Sequence, residues 1–194
     1  MHGINIEQHG PVKAFNYFGI KALQVYGVHE AFSELAQYVK DKPFDMIIEL
    51  GADYGGLTNM LADHEISAGA VVHTFDLNKD KFTNLRPEKI TFHHTDIYSN
   101  FEVIGQLVSN SKRTLVLCDG GNKVLEFNSM VPYLNPGDII MAHDYAKNVV
   151  KHMENIEEGR WNWWEFNDSN IPDAELFIPI ECFDKYVWCI REKK

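Results

Sequence analysis

The sequence predicts an α/β fold, a Rossmann-like open sheet of parallel strands with helices on both faces and a C-terminal antiparallel hairpin. Three observations predict it. Short apolar runs alternate with longer amphipathic stretches, which is the pattern of parallel strands joined by helical crossovers. The last two strand-like runs lie too close in the chain for a crossover helix. No repeat, low-complexity tract or long linker divides the 194 residues, so we expect a single domain.

Five runs have the length and composition of strands that are buried on both faces. They are short and carry β-branched or apolar residues at most positions. The runs are Asp45–Leu50, Ala70–Phe75, Lys89–His93, Thr114–Cys118 and Asp138–Ala142. Between them, apolar residues recur at helical spacing. The predicted helices are Ala31–Val39 before the first strand, and Leu57–His64, Asn100–Ser109 and Val124–Leu134 between later strands.

The C-terminal part departs from this alternation. Glu175–Ile180 and Lys185–Ile190 are two strand-like runs, and only residues 181–184 separate them. Four residues cannot hold a crossover helix, so we expect the two runs to pair as an antiparallel hairpin. Pro179 favours an edge position or a bulge for the first of these strands, because proline has no backbone N–H to donate.

The charge balance excludes some classes of partner. The chain has 28 acidic and 18 basic side chains and a formal net charge of −10. Nucleic acids and anionic membranes repel such a surplus, so we expect neither as a partner of the whole chain. No apolar run approaches the roughly 18 residues that a membrane-spanning helix needs. The first fifteen positions are too polar for a signal peptide.

The cysteines indicate a reducing compartment. There are three, Cys118, Cys182 and Cys189, which is an odd number without the spacing of a metal-binding motif. Cys118 and Cys189 lie inside apolar runs, where a reduced cysteine behaves as a small core residue. We therefore expect a cytoplasmic protein and exclude a secreted disulfide scaffold.

Acidic side chains follow each of the five predicted parallel strands. In open α/β sheets, ligands bind beyond the carboxyl ends of the strands. One acid per strand falls at that end: Glu49, Asp76, Asp96, Asp119 and Asp144. Any one of them can serve simply as the N-cap of the following helix. Five in series favour a ligand or a metal ion, because several carboxylates along one rim are costly to desolvate without one.

The first strand leads into a glycine-rich turn, Glu49-Leu-Gly-Ala-Asp-Tyr-Gly-Gly56. Its glycines let the backbone approach a ligand closely, although a purely structural turn is the alternative. The spacing is neither that of the G-x-G-x-x-G dinucleotide motif nor that of a phosphate loop, which disfavours a nicotinamide oxidoreductase. Asp76 can accept hydrogen bonds from both hydroxyls of a ribose. Asp96 can accept one from an adenine amine, so the two describe a site for an adenosine group.

An E-x-G-x-x-x-G segment followed by an acid after the second strand resembles the cofactor site of class I S-adenosylmethionine-dependent methyltransferases, whose sheet also ends in an antiparallel hairpin. Two later segments are more specific. Asp119-Gly-Gly-Asn122 and Leu134-Asn-Pro-Gly-Asp138, with His143-Asp-Tyr145, are similar to the D-G-x-H, L-x-P-G-G and H-D-Y motifs of one branch. That branch contains sugar O-methyltransferases and cephalosporin hydroxylase-like proteins. The resemblance covers residues 19–145. We expect one methyltransferase-like domain over 1–194, with a helical extension over 1–44 and an α/β core over 45–194.

The resemblance also implies roles for individual residues. The cofactor S-adenosylmethionine would lie against Glu49, Gly51, Ala52, Tyr54, Asp76, Asp96 and Asp119. A divalent cation, Mg²⁺ or another, would lie between Asp119, His143 and Asp144, for which helix capping and packing are the alternative roles. The implied function is methyl transfer to an oxygen of a small molecule or saccharide, with Asp119, Lys123 and Asp144 as catalytic residues. The oligomeric state is left open, a homo-oligomer included.

One residue departs from the pattern of that branch. Asn122 stands where the D-G-x-H histidine would act as a general base, and an amide cannot take a proton near neutral pH. Lys123 can replace it if burial lowers its pKa, although a solvated lysine at a helix start is the simpler interpretation. A metal ion that lowers the pKa of the acceptor hydroxyl is another route. The alternative function is a catalytically silent domain that binds the cofactor or a partner.

Four aromatic residues cluster between the last parallel strand and the hairpin. They are Trp161, Trp163, Trp164 and Phe166. They can form a wall that stacks on a sugar or a planar acceptor, or they can cover a contact between subunits. Plain packing over the edge of the sheet is the interpretation we favour.

Overall fold

The computed structural model describes residues 3–10, 12–25 and 27–194, without the side chains of residues 9, 181 and 182. An N-terminal antiparallel sheet contains β1 (Ile4–His9), β2 (Val12–Tyr17) and β3 (Ile20–Val25). A larger sheet contains β4 (Met46–Leu50), β5 (Val71–Asp76), β6 (Ile90–His94), β7 (Thr114–Cys118), β8 (Ile139–Ala142), β9 (Phe177–Pro179) and β10 (Cys189–Lys193). The α-helices are α1 (Val28–Tyr38), α2 (Gly56–Asp63), α3 (Phe101–Asn110), α4 (Lys123–Met130) and α5 (Val149–Glu157).

The larger sheet has the strand order β6-β5-β4-β7-β8-β10-β9. Strands β4 to β8 pair in parallel, and β10 pairs antiparallel with both β8 and β9. The predicted fold class is confirmed, and the five parallel strands begin and end within one residue of the predicted bounds. The chain runs outward from β4 in opposite directions, so the crevice beyond β4 and β7 is the place where such sheets bind ligands.

Hydrophobic side chains cover both faces of this sheet. Successive residues of a strand point to opposite faces, and neighbours such as Ile47 and Ile48 are fully buried in two different clusters. One cluster includes side chains of α1, α2 and the N-terminal sheet, and the other includes side chains of α3 and α4. Burial on both faces explains why the strands read as continuous apolar runs.

The C-terminal hairpin is confirmed, but its second strand is displaced from the prediction. Strand β9 lies at the edge of the sheet, which suits Pro179. Strand β10 begins at Cys189 rather than Lys185, because Glu181–Tyr186 forms a 3₁₀-helix. Val187 and Trp188 are buried without being part of a strand, so an apolar run here reports burial and not extended backbone.

The predicted helical extension over residues 1–44 is wrong for most of its length. Three six-residue strands precede α1, which is the one α-helix among the described residues of this segment. Only two residues separate each strand from the next, which is the spacing of β-hairpins. Phe15, Tyr17 and Ala22 of this sheet share a hydrophobic cluster with Leu57 and Met60 of α2.

None of the described helices is long and apolar enough to cross a membrane. Cys118 and Cys189 are buried and free, as predicted for reduced core residues. The side chain of Cys182 lies outside the described residues.

Candidate active site

A cavity of about 380 Å³ opens beyond the carboxyl ends of β4, β5, β7 and β8. Four of the five acids predicted at the carboxyl ends of the parallel strands line it, namely Glu49, Asp76, Asp119 and Asp144. We call the part lined by Glu49, Gly51, Ala52 and Asp76 the glycine-turn side. We call the part lined by Gln24, Asp119, Lys123, His143, Asp144, Trp161 and Trp163 the lysine side. The two sides form one continuous space.

On the glycine-turn side, two strand ends are tied together. Gly51 has a φ of +95°, and a Cβ there would lie only 2.6 Å from the backbone oxygen of Asp119 at the end of β7. Only glycine allows both this conformation and this approach. One carboxylate oxygen of Asp76 accepts hydrogen bonds from the backbone N–H groups of Ala52 (3.1 Å) and Asp53 (2.9 Å). Asp76, the last residue of β5, therefore holds the turn after β4, and its contact with a ribose stays a prediction.

Glu49 is the buried acid of the glycine-turn side. It is 1% exposed, and its Oε2 accepts hydrogen bonds from the hydroxyls of Thr74 (2.6 Å) and Thr58. Burial raises the pKa of Glu49 to about 8, because the threonine hydroxyls that stabilise the carboxylate only partly offset the desolvation. The carboxyl group is therefore largely protonated near neutral pH. A cation bound beside it would favour the ionised form.

On the lysine side, donors surround both carboxylates. One carboxylate oxygen of Asp119 lies 3.1 Å from the ring Nδ1 of His143. The other accepts a hydrogen bond from the side-chain amide of Gln24 at 2.6 Å. Asp144 receives the indole N–H of Trp161 at 2.7 Å on Oδ1. The Lys123 ammonium lies 2.8 Å from its Oδ2. All four carboxylate oxygens thus carry a described donor.

The charge states of this cluster follow from its contacts. Burial alone would lower the pKa of Lys123, but Asp119, Asp144 and nearby Glu165 outweigh it and raise that pKa. The same two aspartates outweigh burial for His143 and raise its pKa. Lys123 is 8% exposed, so the expectation of a solvated lysine is wrong. A proton-accepting Lys123 is also wrong, because its ammonium is stabilised rather than destabilised.

Asn122 has a structural role in place of the missing base. Its side-chain oxygen accepts a hydrogen bond from the backbone N–H of Leu125 at 2.9 Å and caps α4. The buried carboxylate of Glu126 accepts hydrogen bonds from the backbone N–H groups of Gly120 (3.0 Å) and Asn122 (3.1 Å). The D-G-G-N loop is therefore fixed by hydrogen bonds to its own following helix.

The residues predicted to hold a metal ion come together, but their arrangement does not fit one. His143 directs Nδ1 at both Asp119 and Asp144, at 3.1 and 3.3 Å, so this nitrogen acts as a donor to them. Nδ1 therefore has no lone pair to offer a metal between the two aspartates, and the other ring nitrogen, Nε2, is buried without a hydrogen-bond partner among the residues that the structure describes. In the described part of the chain, no group of three or more His, Cys, Asp or Glu side chains is arranged to hold a metal.

Two predicted cofactor residues lie outside the cavity lining. Asp96 accepts hydrogen bonds from the backbone N–H of Tyr98 (3.0 Å) and the hydroxyl of Ser99 (2.6 Å), so both its oxygens serve the turn before α3. The ring of Tyr54 has the ammonium groups of Lys21 and Lys81 at 5.3 and 5.4 Å from its centre. Their roles toward a cofactor stay predictions.

The aromatic cluster divides into two pairs. Trp161 and Trp163 line the lysine side of the cavity, and Trp163 is 61% exposed. Phe166 is fully buried in the core, and Trp164 donates its indole N–H to the backbone oxygens of Ala146 and Phe166. Packing over the sheet explains the second pair. The first pair lines the cavity, as the alternative of an acceptor wall requires.

Comparison with known proteins shows similarity in structure and none in sequence families. An apo structure of CmcI superposes with a TM-score of 0.66 at 11% identity, covering 92% of this chain and 76% of that one. A structure of CmcI with Mg and SAM gives 0.63 at 14% identity, with the same coverage. A Staphylococcus aureus protein described as a caffeoyl-CoA O-methyltransferase gives 0.54 at 11% identity, covering 85% and 83%. The chain has the methyltransferase fold.

The MycE methyltransferase of mycinamycin biosynthesis, solved with Mg and SAH, gives a TM-score of 0.52 at 12% identity and covers 84% of this chain. The chain spans about half the length of MycE, with 48% covered. No protein-family model and no curated protein sequence matches the chain. At these identities the likeness establishes the methyltransferase fold alone.

Sequence reasoning missed two residues that shape the lysine side of this methyltransferase fold. Gln24 reaches Asp119 from β3, and Glu165 lies 3.4 Å from the Lys123 ammonium. The segment Ile20–Val25 (IKALQV) has no regular alternation of polar and apolar residues, so no clear signal in the sequence marks β3 or its inward-facing glutamine. No local pattern marks Glu165, which precedes the buried Phe166 in an irregular segment.

Proposed function

We propose that the protein is an S-adenosylmethionine-dependent methyltransferase that acts on an oxygen of a small molecule or saccharide. The observation that carries the proposal is the continuity of the cavity. A glycine turn tied to Asp76 lies at one end, and an acid–lysine cluster with two tryptophans lies at the other. Structures of similar fold that contain SAM or SAH support this choice of cofactor.

The glycine-turn side would hold the cofactor. Oδ2 of Asp76 holds the turn, and Oδ1 accepts a hydrogen bond from the backbone N–H of Asn78 at 2.7 Å, so the second lone pair of Oδ1 can accept one from a ribose hydroxyl. By resemblance to the family, Glu49 would lie near the amino-acid end of the cofactor. The backbone of Gly51 and Ala52 would pass beneath it, where the absence of a side chain at Gly51 leaves room.

The lysine side would hold the acceptor. When bound, S-adenosylmethionine would supply an activated methyl group to an acceptor oxygen placed in line with its S–C bond, leaving SAH, and the hydroxyl proton would pass to water in the open cavity. Asp119, Lys123 and Asp144 would orient the acceptor and balance the charge that develops on it. The protein would then act mainly by proximity and orientation, which are large terms for a two-substrate reaction.

Calorimetric titration with SAM and SAH tests the proposal. We expect both to bind, and Asp76→Ala to weaken binding at least about a hundredfold, because it removes the ribose acceptor and releases the turn. Asp80→Ala is the matched control, since Asp80 is an exposed acid in the following loop and does not line the cavity. Binding of neither compound at millimolar concentration, with the control still folded, would refute the proposal.

The second candidate is a catalytically silent domain that binds the cofactor or a partner. Asn122 caps a helix and Lys123 is held in its charged form, so neither accepts the acceptor's proton. Cofactor binding without SAH formation across a broad panel of hydroxyl acceptors would favour this candidate. A single turnover on any acceptor eliminates it.

The remaining expectations belong to the same proposal. The buried free thiols of Cys118 and Cys189 support action in a reducing compartment such as the cytoplasm. The net charge of −10 argues against nucleic acid and anionic membranes as partners. A homo-oligomer is compatible with the apolar residues that α5 exposes, namely Val149, Val150, Met153 and Ile156.

A further inference from the structure

The ammonium of Lys123 lies at the centre of an acidic cluster in the cavity wall. Its Nζ is 2.8 Å from Asp144 Oδ2 and 3.4 Å from Glu165 Oε2, and its side chain is only 10% exposed. The backbone N–H of Lys123 also donates to Glu165, at 3.0 Å. Main chain and side chain are therefore held by the same carboxylate, which fixes where the ammonium lies.

Most of the negative charge of this cluster is compensated from within the chain. Asp119, Asp144 and Glu165 come from three separate segments and would repel one another if they were brought together alone. Lys123 contacts two of them, and His143 bridges the two aspartates. A divalent cation between Asp119 and Asp144 would have to displace these donors, and it would stand beside a fixed positive charge.

CmcI and MycE have both been solved with Mg. In this chain, the acids after β7 and β8 direct their oxygens at side-chain donors instead.

We propose that Lys123 is the resident cation of this site. Its ammonium takes the charge-balancing place that a divalent metal would otherwise take, so the chain binds no such metal at Asp119 and Asp144. Removal of the lysine charge leaves the carboxylates of Asp144 and Glu165 facing a vacated position, with Asp119 beside them, and creates a site for a hard divalent cation. The binding part of this inference does not depend on the proposed function. Its consequence for methyl transfer, which would proceed without added metal, does rest on it.

Calorimetric titration of the full chain with MnCl₂ and with MgCl₂ tests the proposal. We expect no saturable site in the unaltered chain. We expect Lys123→Ala to gain one Mn²⁺ site that is at least about tenfold tighter than any binding to the parent, because Asp144 Oδ2 and Glu165 Oε2 are then free to bind a metal ion. Lys123→Arg, which keeps the charge, should gain none. Lys151→Ala is a matched control, since it removes a lysine from an exposed ion pair with Glu154.

Two further variants locate the gained metal site and provide an alternative if Lys123→Ala does not fold. Asp144→Asn, added to Lys123→Ala, should abolish the gained site, which distinguishes it from weak binding elsewhere on an acidic surface. If Lys123→Ala does not fold, as judged by near-ultraviolet circular dichroism, Lys123→Met retains the apolar stem without the charge. A tight Mn²⁺ or Mg²⁺ site in the parent chain that Asp144→Asn removes would overturn the proposal. So would a folded neutral variant at position 123 that gains no site.

Turnover provides a separate measurement. If the proposed function holds, SAH formation should be unchanged by EDTA. Loss of turnover in EDTA, restored by Mg²⁺, would refute the resident cation while leaving methyl transfer intact. Absence of any turnover would count against the proposed function, and the metal titrations would still decide the role of Lys123.

Discussion

The two sides of the cavity are built in different ways. The glycine-turn side is made by adjacent parallel strands, and its contacts join the end of β4 to the ends of β5 and β7. The lysine side is made by segments that are distant in the chain, since Gln24 and Asp119 are 95 positions apart. The first is therefore part of the sheet itself, whereas the second is assembled on its rim. Substitutions within the sheet on the glycine-turn side should accordingly cost more stability than substitutions of exposed groups on the lysine side.

The largest effect should come from Glu49. Its folded-state pKa of about 8 lies above the ordinary 4.5, so the folded chain keeps a proton that the unfolded chain loses. The free energy of unfolding should therefore fall as pH rises from about 4.5 to 8, by at most about 1.4 kcal/mol per pH unit and about 4 kcal/mol in total. Glu49→Gln cannot ionise and should lack this contribution. Urea denaturation of both proteins at intervals between pH 5 and 8 measures it.

The quantity to compare is the difference in unfolding free energy between the parent chain and Glu49→Gln at each pH. Other groups that titrate in this range contribute equally to both, so they cancel. Asp80→Ala, which changes an exposed acid, should keep the slope of the parent chain. Parallel curves for the parent and Glu49→Gln would show that the buried acid does not couple stability to pH.

An intermediate effect is expected at Gly51. Gly51→Ala adds a Cβ against the backbone of Asp119 and Gly120 in a left-handed conformation, and should cost about 2–4 kcal/mol of unfolding free energy. Gly69→Ala is the matched control, because Gly69 has a similar φ of +86° but no atom within 4 Å of its Cβ position. We expect about 1–2 kcal/mol there. Equal costs in urea denaturation would mean that the strand ends are not closely packed.

The smallest effect on stability should come from Trp163. It lines the lysine side but is 61% exposed, so Trp163→Ala should change the unfolding free energy by less than about 0.5 kcal/mol. On an acceptor found by turnover, KM should rise about threefold to tenfold, because the ring would contribute stacking to acceptor binding. Tyr38→Ala, at a 54% exposed aromatic residue of α1, should leave KM unchanged. An unchanged KM in Trp163→Ala would remove this ring from the acceptor wall.

The parallel sheet could be predicted from the sequence because its strands are buried on both faces. An apolar run then has a single structural meaning over five or six residues. The run at Lys185–Ile190 was ambiguous, since Val187 and Trp188 are equally buried in a non-strand connection after a 3₁₀-helix. The N-terminal sheet escaped prediction for the opposite reason. Its strands mix polar with apolar residues, and β1 (INIEQH) contains no apolar run.

The site could be predicted only in part. The positions of Glu49, Asp76, Asp119 and Asp144 follow from strand order, because parallel strands end at the same edge. What each acid contacts does not follow from it. The charge state of Lys123 depends on three carboxylates from separate segments, and the same residue would behave as a solvated lysine without them. Asn122 shows the converse, since its helix-capping role is local and its residue type favours that role.

One contact joins the two sides of the cavity mechanically. A Cβ at Gly56, the first residue of α2, would collide with the backbone carbonyl of Lys21, so the glycine turn and β3 leave no gap between them. A shift of the turn when a ligand settles on it must therefore move the strand that carries Gln24. We expect the affinities for cofactor and acceptor to be coupled, each ligand changing the affinity for the other by the same factor. Calorimetric titration of each ligand with and without the other would measure that factor.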